Sequence, residues 1–427
     1  MRENKVGLNV YVALLFLGIV FSVAYSVPYI KAVFYDGMLE LTGVSNAKLG
    51  VLMTIYGLGE VLTPGIGGIL ARKFNYIGII GFSSVGTIIA CLLMALFPSY
   101  TMTLFVWMIL VFSTLFMVWG TWFKTLRLLA DDKVQGTMNG VFYGMCGIGY
   151  LLVNSVSLYA YGKFAATDPA AGMKAVFVSF AAVMAVCTLL AVVVLKKVGI
   201  MNSQALEEDD GDKVSLIEDM KGVAKYRSVW YFGLTLFCMY STNIAIQYFT
   251  PYFTDVLGMT VVFSGAIAIV RQYGMKIVGS PLGGIFADKI GSISKLIIAA
   301  FFVCALMIGI VIVLPPELKT LTVIMVIIMV ASLANNLAGG VQYAIPVEAG
   351  LPMRYHASAI GFGSAIGFSP DLFQHVLFGY WMDKYGNQGY TYIFVYGVVT
   401  AVIGIVILMK FLREKAAGRQ SVGQEAA

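Results

Sequence analysis

The feature that most constrains this chain is the recurrence of apolar stretches of twenty or more residues, with charges mostly confined to the short segments between them. A helix rising 1.5 Å per residue needs about 20 mostly apolar residues to cross a bilayer core. Twelve stretches meet that length: 7–35, 45–71, 76–98, 101–126, 137–162 and 173–197, then 228–252, 260–287, 294–314, 321–345, 357–382 and 390–412. Helix-stopping residues punctuate the breaks, at Pro98-Ser99, Asp168-Pro169, Pro315-Pro316 and Asn387-Gln-Gly389. A backbone in lipid has to satisfy its own polar groups, and a helix does so within one segment. The chain is therefore expected to be an all-α membrane protein. Only 12% of its 427 residues are charged, against about a quarter in soluble proteins, which agrees with that reading.

Lysine and arginine set the orientation. With the N-terminus in the cytoplasm, twenty of the 28 fall on the cytoplasmic side, five on the other, and Lys31, Arg271 and Lys276 lie inside spans. Both termini are expected to be cytoplasmic, and the first stretch reads as a retained span. The one long hydrophilic segment contains Glu207-Glu-Asp-Asp210 and is read as a solvated linker with a short surface helix near 214–225. It divides the chain into an N-terminal six-helix bundle (1–197), a cytoplasmic linker (198–227), a C-terminal six-helix bundle (228–412) and a cytoplasmic tail (413–427). The net charge of +6 follows from these loops and gives no reason to expect a nucleic-acid partner. The five cysteines stand singly inside apolar runs, so packing is their expected role and neither disulfides nor a metal site are expected.

The two halves repeat. Span 2 ends Pro64-Gly-Ile-Gly-Gly-Ile-Leu-Ala-Arg-Lys-Phe-Asn75, and span 8 ends Pro281-Leu-Gly-Gly-Ile-Phe-Ala-Asp-Lys-Ile-Gly291. A shift of 216 residues lays Gly67 on Gly283, Gly68 on Gly284, Ala71 on Ala287 and Lys73 on Lys289. On these motifs the chain resembles the major facilitator superfamily over nearly its whole length. That family's loop signature is Gly-x-x-x-Asp-(Arg/Lys)-x-Gly, and Gly284-Ile-Phe-Ala-Asp288-Lys289-Ile-Gly291 matches it. The first copy departs, with Arg72 in place of the acid and Asn75 in place of the last glycine. The resemblance implies twelve helices in two pseudo-symmetric bundles. It also implies a cytoplasmic latch at Asp288 and Lys289, weakened or rewired at Arg72. Glycines 140, 144, 147 and 149 of span 5 and 361, 363 and 367 of span 11 are similar to the family's sliding interdomain faces, or serve ordinary close packing. Three further stretches look like a bacterial branch linked to sulfoquinovose-type sugar-sulfonate catabolism: Gln272-Tyr-x-x-Lys276, Ala344 to Ala349, and Gly363-Ser-x-Ile-Gly. The acid and arginine of that branch's fifth helix are missing from Phe142-Tyr-Gly-Met-Cys146, so its substrate is not carried over.

An ionisable group within a span is costly unless it faces a partner or a wet cavity, which makes each one a candidate. Arg271 lies about 16 Å into span 8, near mid-membrane, and Lys276 and Gln272 share a face at i,i+4. The repeat sets Glu60 opposite Lys276, leaving two readings: a structural Glu60–Lys276 pair, or a substrate or coupling role. Asp371 and His375 are one helical turn apart, able to exchange a proton near neutral pH or to stand as a polar pair at an outer vestibule. Tyr25, Tyr29 and Lys31 of span 1, Trp119 of span 4, Asn243 and Gln247 of span 7, and Asn335 and Asn336 of span 10 complete the candidate set. As a group they point to a hydrated cavity; singly each also fits helix–helix hydrogen bonding.

No phosphate loop or His-Glu-x-x-His motif occurs, so no enzyme and no cofactor is expected. The expected function is secondary transport of a small polar solute by alternating access, leaning to an organic anion such as a sugar acid or sulfonate. The lean comes from three basic groups in the spans against Glu60 and Asp371. A neutral sugar, nucleoside or drug-like solute, or a sensor on a transporter fold, stays open. The expected partners are that solute, protons or a counter-ion, and lipid, with the protein monomeric.

Overall fold

Prolines decide where several spans break. The computed structural model describes residues 8–73, 76–116, 135–166, 168–197, 222–352 and 355–417, and for 64–73, 76–77, 135–140 and 357 it describes the backbone alone. The first helix, α1 (Leu8–Ser26), stops just before Pro28, and a 3-10 turn at Ile30–Ala32 leads into the short α2 (Tyr35–Thr42). The span expected over 7–35 is thus helical only to Ser26, and Lys31 sits in the turn beyond it. Next come α3 (Asn46–Lys73) and α4 (Tyr76–Leu96). Helix α5 (Tyr100–Leu110) passes into a π-turn, Val111–Phe116, and α6 (Gln135–Ala165) and α7 (Pro169–Lys197) follow.

The second half opens with α8 (Arg227–Gln247) and α9 (Phe249–Asp255). Pro251 has no N–H for the Gln247 carbonyl and its ring clashes there, so the helix breaks at Tyr248. Helix α10 (Val261–Ile269) runs through a second π-turn, Val270–Gly274, into α11 (Met275–Ile290). Then follow α12 (Ile293–Val313), α13 (Leu321–Gly339) and the one-turn α14 (Ile345–Glu348). The eleventh expected span is split by a 3-10 turn, Ser369–Leu372, into α15 (His356–Gly367) and α16 (Gln374–Tyr385), with Pro370 at the break. Helix α17 (Asn387–Ala416) ends the described chain. Nine helical stretches among the described residues are long and apolar enough to cross a membrane, and no strand occurs among them. The linker's surface helix expected near 214–225 lies almost wholly outside the described residues.

The chain forms two compact units, Met1–Val44 with Gly65–Gly211 and Ser45–Pro64 with Asp212–Ala427. The division falls inside α3, whose N-terminal half groups with the second unit. In the first unit α1 packs along α6 and α7. A methyl on Gly18 would stand 2.9 Å from the Met145 carbonyl carbon, and one on Gly149 2.6 Å from Ser22 Oγ. In the second unit α8 packs on α15 and α17, and α11 on α13. Gly279 and Gly283 allow that last approach, since methyls there would meet Asn336 and the Leu337 backbone. Gly363 and Gly367 receive Phe232 and Leu236 of α8. Gly149, Gly363 and Gly367 thus pack closely within a unit, where small residues let backbones meet, while a methyl on Gly144 would meet nothing within 4 Å.

Candidate functional site

The broken turn between α8 and α9 organises the second unit's polar interior. Arg271, in the π-turn and 2% exposed, donates from Nη1 to the Ile246 carbonyl (2.6 Å) and from Nη2 to Thr250 Oγ1 (3.0 Å). Ser264 of α10 adds a hydrogen bond to the Thr250 carbonyl at 2.5 Å. A π-turn inside an α-helix re-aims the side chains around it and recurs at functional sites. One face upstream, Asn335 of α13 donates to Asn243 Oδ1 of α8 at 3.2 Å. Asn336 bonds back to the Ser332 carbonyl at 2.8 Å, with its Cβ facing Gly279. Gln247 is buried; Gln272, Asn243, Asn335 and Asn336 are half-buried; Lys276, one turn from Gly279, is exposed. Asn335 and Asn336 of α13 thus face α8 and α11 respectively, while Arg271 holds the break that ends α8.

The second cluster lies where α16 begins. His375 Nε2 and Asp371 Oδ1 are 3.0 Å apart, with side chains 1% and 0% exposed. Tyr240 donates to Asp371 Oδ2 (2.9 Å), and Tyr248 lies 3.3 Å from His375 Nδ1 with its ring stacked on the imidazole. Both side chains are buried in this structure. Helix α3 covers it: a methyl on Gly57 would come within 2.6 Å of Asp371 Cβ, one on Gly50 within 2.5 Å of the His375 carbonyl, and Thr54 donates to the Leu372 carbonyl at 3.0 Å. A carboxylate held by a phenol and an imidazole in a dry site can pass a proton between two well-defined partners. Glu60 is half-buried one turn further along α3.

In the first unit Tyr25 donates to the Thr114 carbonyl in the α5 π-turn at 3.2 Å. Tyr29 is half-buried and Lys31 buried. Trp119 and the side chain of Arg72 lie outside the described residues. Asp288 and Lys289 are exposed at the end of α11, where Gly291 (φ 68°) provides the left-handed residue that stops the helix.

Two acids were not among the expected site residues. Glu348 accepts from Ser292 Oγ and Ser294 Oγ (both 2.6 Å) and from the Ser294 N–H (2.9 Å), capping α12. Asp383 accepts from the backbone and side-chain nitrogens of Asn46 and from the Ala47 N–H, all at 2.9 Å, at the start of α3. Partial burial raises the Asp383 pKa, and the hydrogen bonds from Ala47, Asn46 and Ser45 outweigh it, leaving the carboxyl below its ordinary value. The signal for Asp383 is in the sequence: Gly379-Tyr-Trp-Met-Asp383-Lys384-Tyr-Gly386 repeats the spacing of Gly284 to Gly291.

Nine helical stretches of spanning length among the described residues, with breaks and buried polar clusters along them, define a multi-pass membrane protein. The Major Facilitator Superfamily model matches residues 10–370. The chain belongs to that superfamily. Among curated proteins it is similar to two from Escherichia coli (strain K12). Inner membrane protein YqcE is 24% identical over 91% of both chains, and inner membrane protein YihN is 25% identical over 92% of this chain and 93% of its own. Its fold is similar to an inward-facing, unoccupied bacterial homolog of the human lysosomal transporter Spinster (TM-score 0.70, 14% identity, 96% and 99% of the two chains). It is also similar to the nucleoside transporter NupG (TM-score 0.69, 14% identity, 95% and 99%). The protein is a multi-pass transporter of the inner membrane.

Proposed function

We propose that the protein carries a small organic anion, of the sugar-acid or sulfonate class, by alternating access. In this reading twelve spans form two six-helix halves, with both termini in the cytoplasm, and the transporter works as a monomer. The observation that carries the substrate class is in the second unit, where Lys276 is exposed one turn from Gly279, the residue that Asn336 of α13 packs against. Lys276 supplies the charge that an anion needs, and Gln272, Asn243, Asn335 and Asn336 supply hydrogen bonds to its hydroxyls. Arg271 is buried and holds the break at Tyr248, next to Gln247 and just over a turn past Asn243. Tyr25, Tyr29, Lys31 and Trp119 are the first half's candidates for contact with the solute. Asp371 and His375 couple transport to protons, Glu60 balances Lys276 when the site is empty, and Arg72, Asp288 and Lys289 gate the inner end.

The test is thermal stabilisation of purified protein by matched pairs of solutes, an acid or sulfonate and its neutral counterpart. A ligand at a hundred times its Kd stabilises the folded state by about 2.7 kcal/mol. The acids should raise the melting temperature and the neutral members should not, and Lys276→Met should remove the effect. The double variant with Glu60→Gln should stay unresponsive. Equal stabilisation by the neutral members, or recovery in the double variant, would replace the anion reading with a neutral solute.

A further inference from the structure

The eight-residue signature Gly-x-x-x-Asp-Lys-x-Gly occurs at two helix ends, at Gly284–Gly291 closing α11 and at Gly379–Gly386 closing α16. Both final glycines have positive φ, 68° and 54°, so each segment stops its helix in the same way. Their acids differ in state. Asp288 is exposed. Asp383 takes three hydrogen bonds from the first turn of α3, where backbone N–H groups lack helical partners and a negative charge is favoured. The first glycine of this copy, Gly379, lies against the Asn46 carbonyl and the Ala47 nitrogen, where any side chain would collide. From there the contact runs on through Gly50 against the His375 carbonyl, Thr54 on the Leu372 carbonyl and Gly57 against Asp371.

We propose that Asp383 is a latch at the outer end of the transporter, holding the N-terminal half of α3 onto α16 and releasing it in the alternate state. Two observations carry this beyond ordinary helix capping. The cap joins helices 337 residues apart in sequence, and α3 is the helix shared between the two units. While latched, α3 also covers the buried Asp371–His375 pair, so release of Asp383 exposes that pair. Placement at the outer end rests on the topology proposed above; the latch itself does not.

The test places a cysteine at Thr54, inside the latched contact, in full-length protein in membranes. The five native cysteines are buried, so background reaction with a membrane-impermeant maleimide is low. Asp383→Asn should speed labelling of the new cysteine about tenfold, the ratio set by losing one charge-assisted hydrogen bond's worth of stabilisation. Asn46→Ala, which removes one donor of three, should raise it about two- to threefold. A control cysteine at Ser332, buried in α13 away from the contact, should keep its rate. An unchanged rate at Thr54→Cys in a folded Asp383→Asn protein would overturn the latch. An equal rise at the control would too, because it would mean general loosening. Acceleration only with reagent on the cytoplasmic face would keep the latch and overturn the topology.

Discussion

Replacing Arg271 by methionine separates two ways in which a buried cation can serve a transporter. If the guanidinium holds the solute, its loss weakens binding and leaves the empty protein as stable as before. If it holds the break between α8 and α9, its loss is felt without any solute. The structure gives it two protein acceptors, Ile246 O at 2.6 Å and Thr250 Oγ1 at 3.0 Å, and 2% exposure. Hydrogen bonds to charged groups contribute about 1.5–3 kcal/mol each, an upper value of roughly 3–6 kcal/mol for two. Interhelical hydrogen bonds in bilayers measure nearer to about 0.6 kcal/mol, and methionine also relieves the desolvation of a buried charge. A net loss of about 1–3 kcal/mol is expected. At about 2–4 °C per kcal/mol, ligand-free Arg271→Met should melt roughly 2–12 °C lower. A thiol-reactive fluorophore can follow this, because unfolding exposes five buried cysteines. Binding should weaken as well, since Gln247 ends α8 at the break being held and Asn243 lies one turn before it. An unchanged melting temperature with binding abolished would refute the clamp and place Arg271 on the solute.

Two further outcomes test the coupling and the topology. Asp371→Asn replaces one of the two carboxylate oxygens that join His375 and Tyr240 with an NH2 donor and removes the ionisable group, and should abolish pH-driven accumulation while sparing counterflow exchange; intact accumulation in a vesicle uptake assay would remove the pair from coupling. Cysteines at Ala166 and Leu318 should react with an impermeant reagent on intact cells and one at Asp209 should not, and labelling at Asp209 would invert the orientation.

What the sequence made legible follows from which forces act locally. Helices are forced by lipid, so apolar length alone located the long ones, and Pro370, plain in the sequence, lies at the break inside the expected eleventh span. Pro251 is as plain in the sequence, but the expected span over 228–252 ran through it, because hydropathy reports burial and not backbone geometry. The repeat located Gly279 and Gly283 without indicating what they face; the answer, α13, is a tertiary fact.

Polar residues show the limit most clearly. Depth in the membrane says that Arg271, Asn335 and Asp371 need partners, and not whether those partners are protein or solute. Arg271 finds its acceptors 25 and 21 residues back in sequence, Asn335 finds Asn243 92 residues away, and Asp371 finds Tyr240 131 residues away. Each of these groups is hydrogen-bonded within the protein, so a solute that displaces a partner has to offer a better hydrogen bond than the protein does. Lys276 differs from these three in being exposed. In the proposed reading charge recognition therefore falls to Lys276, while the buried groups shape and hold the site around it.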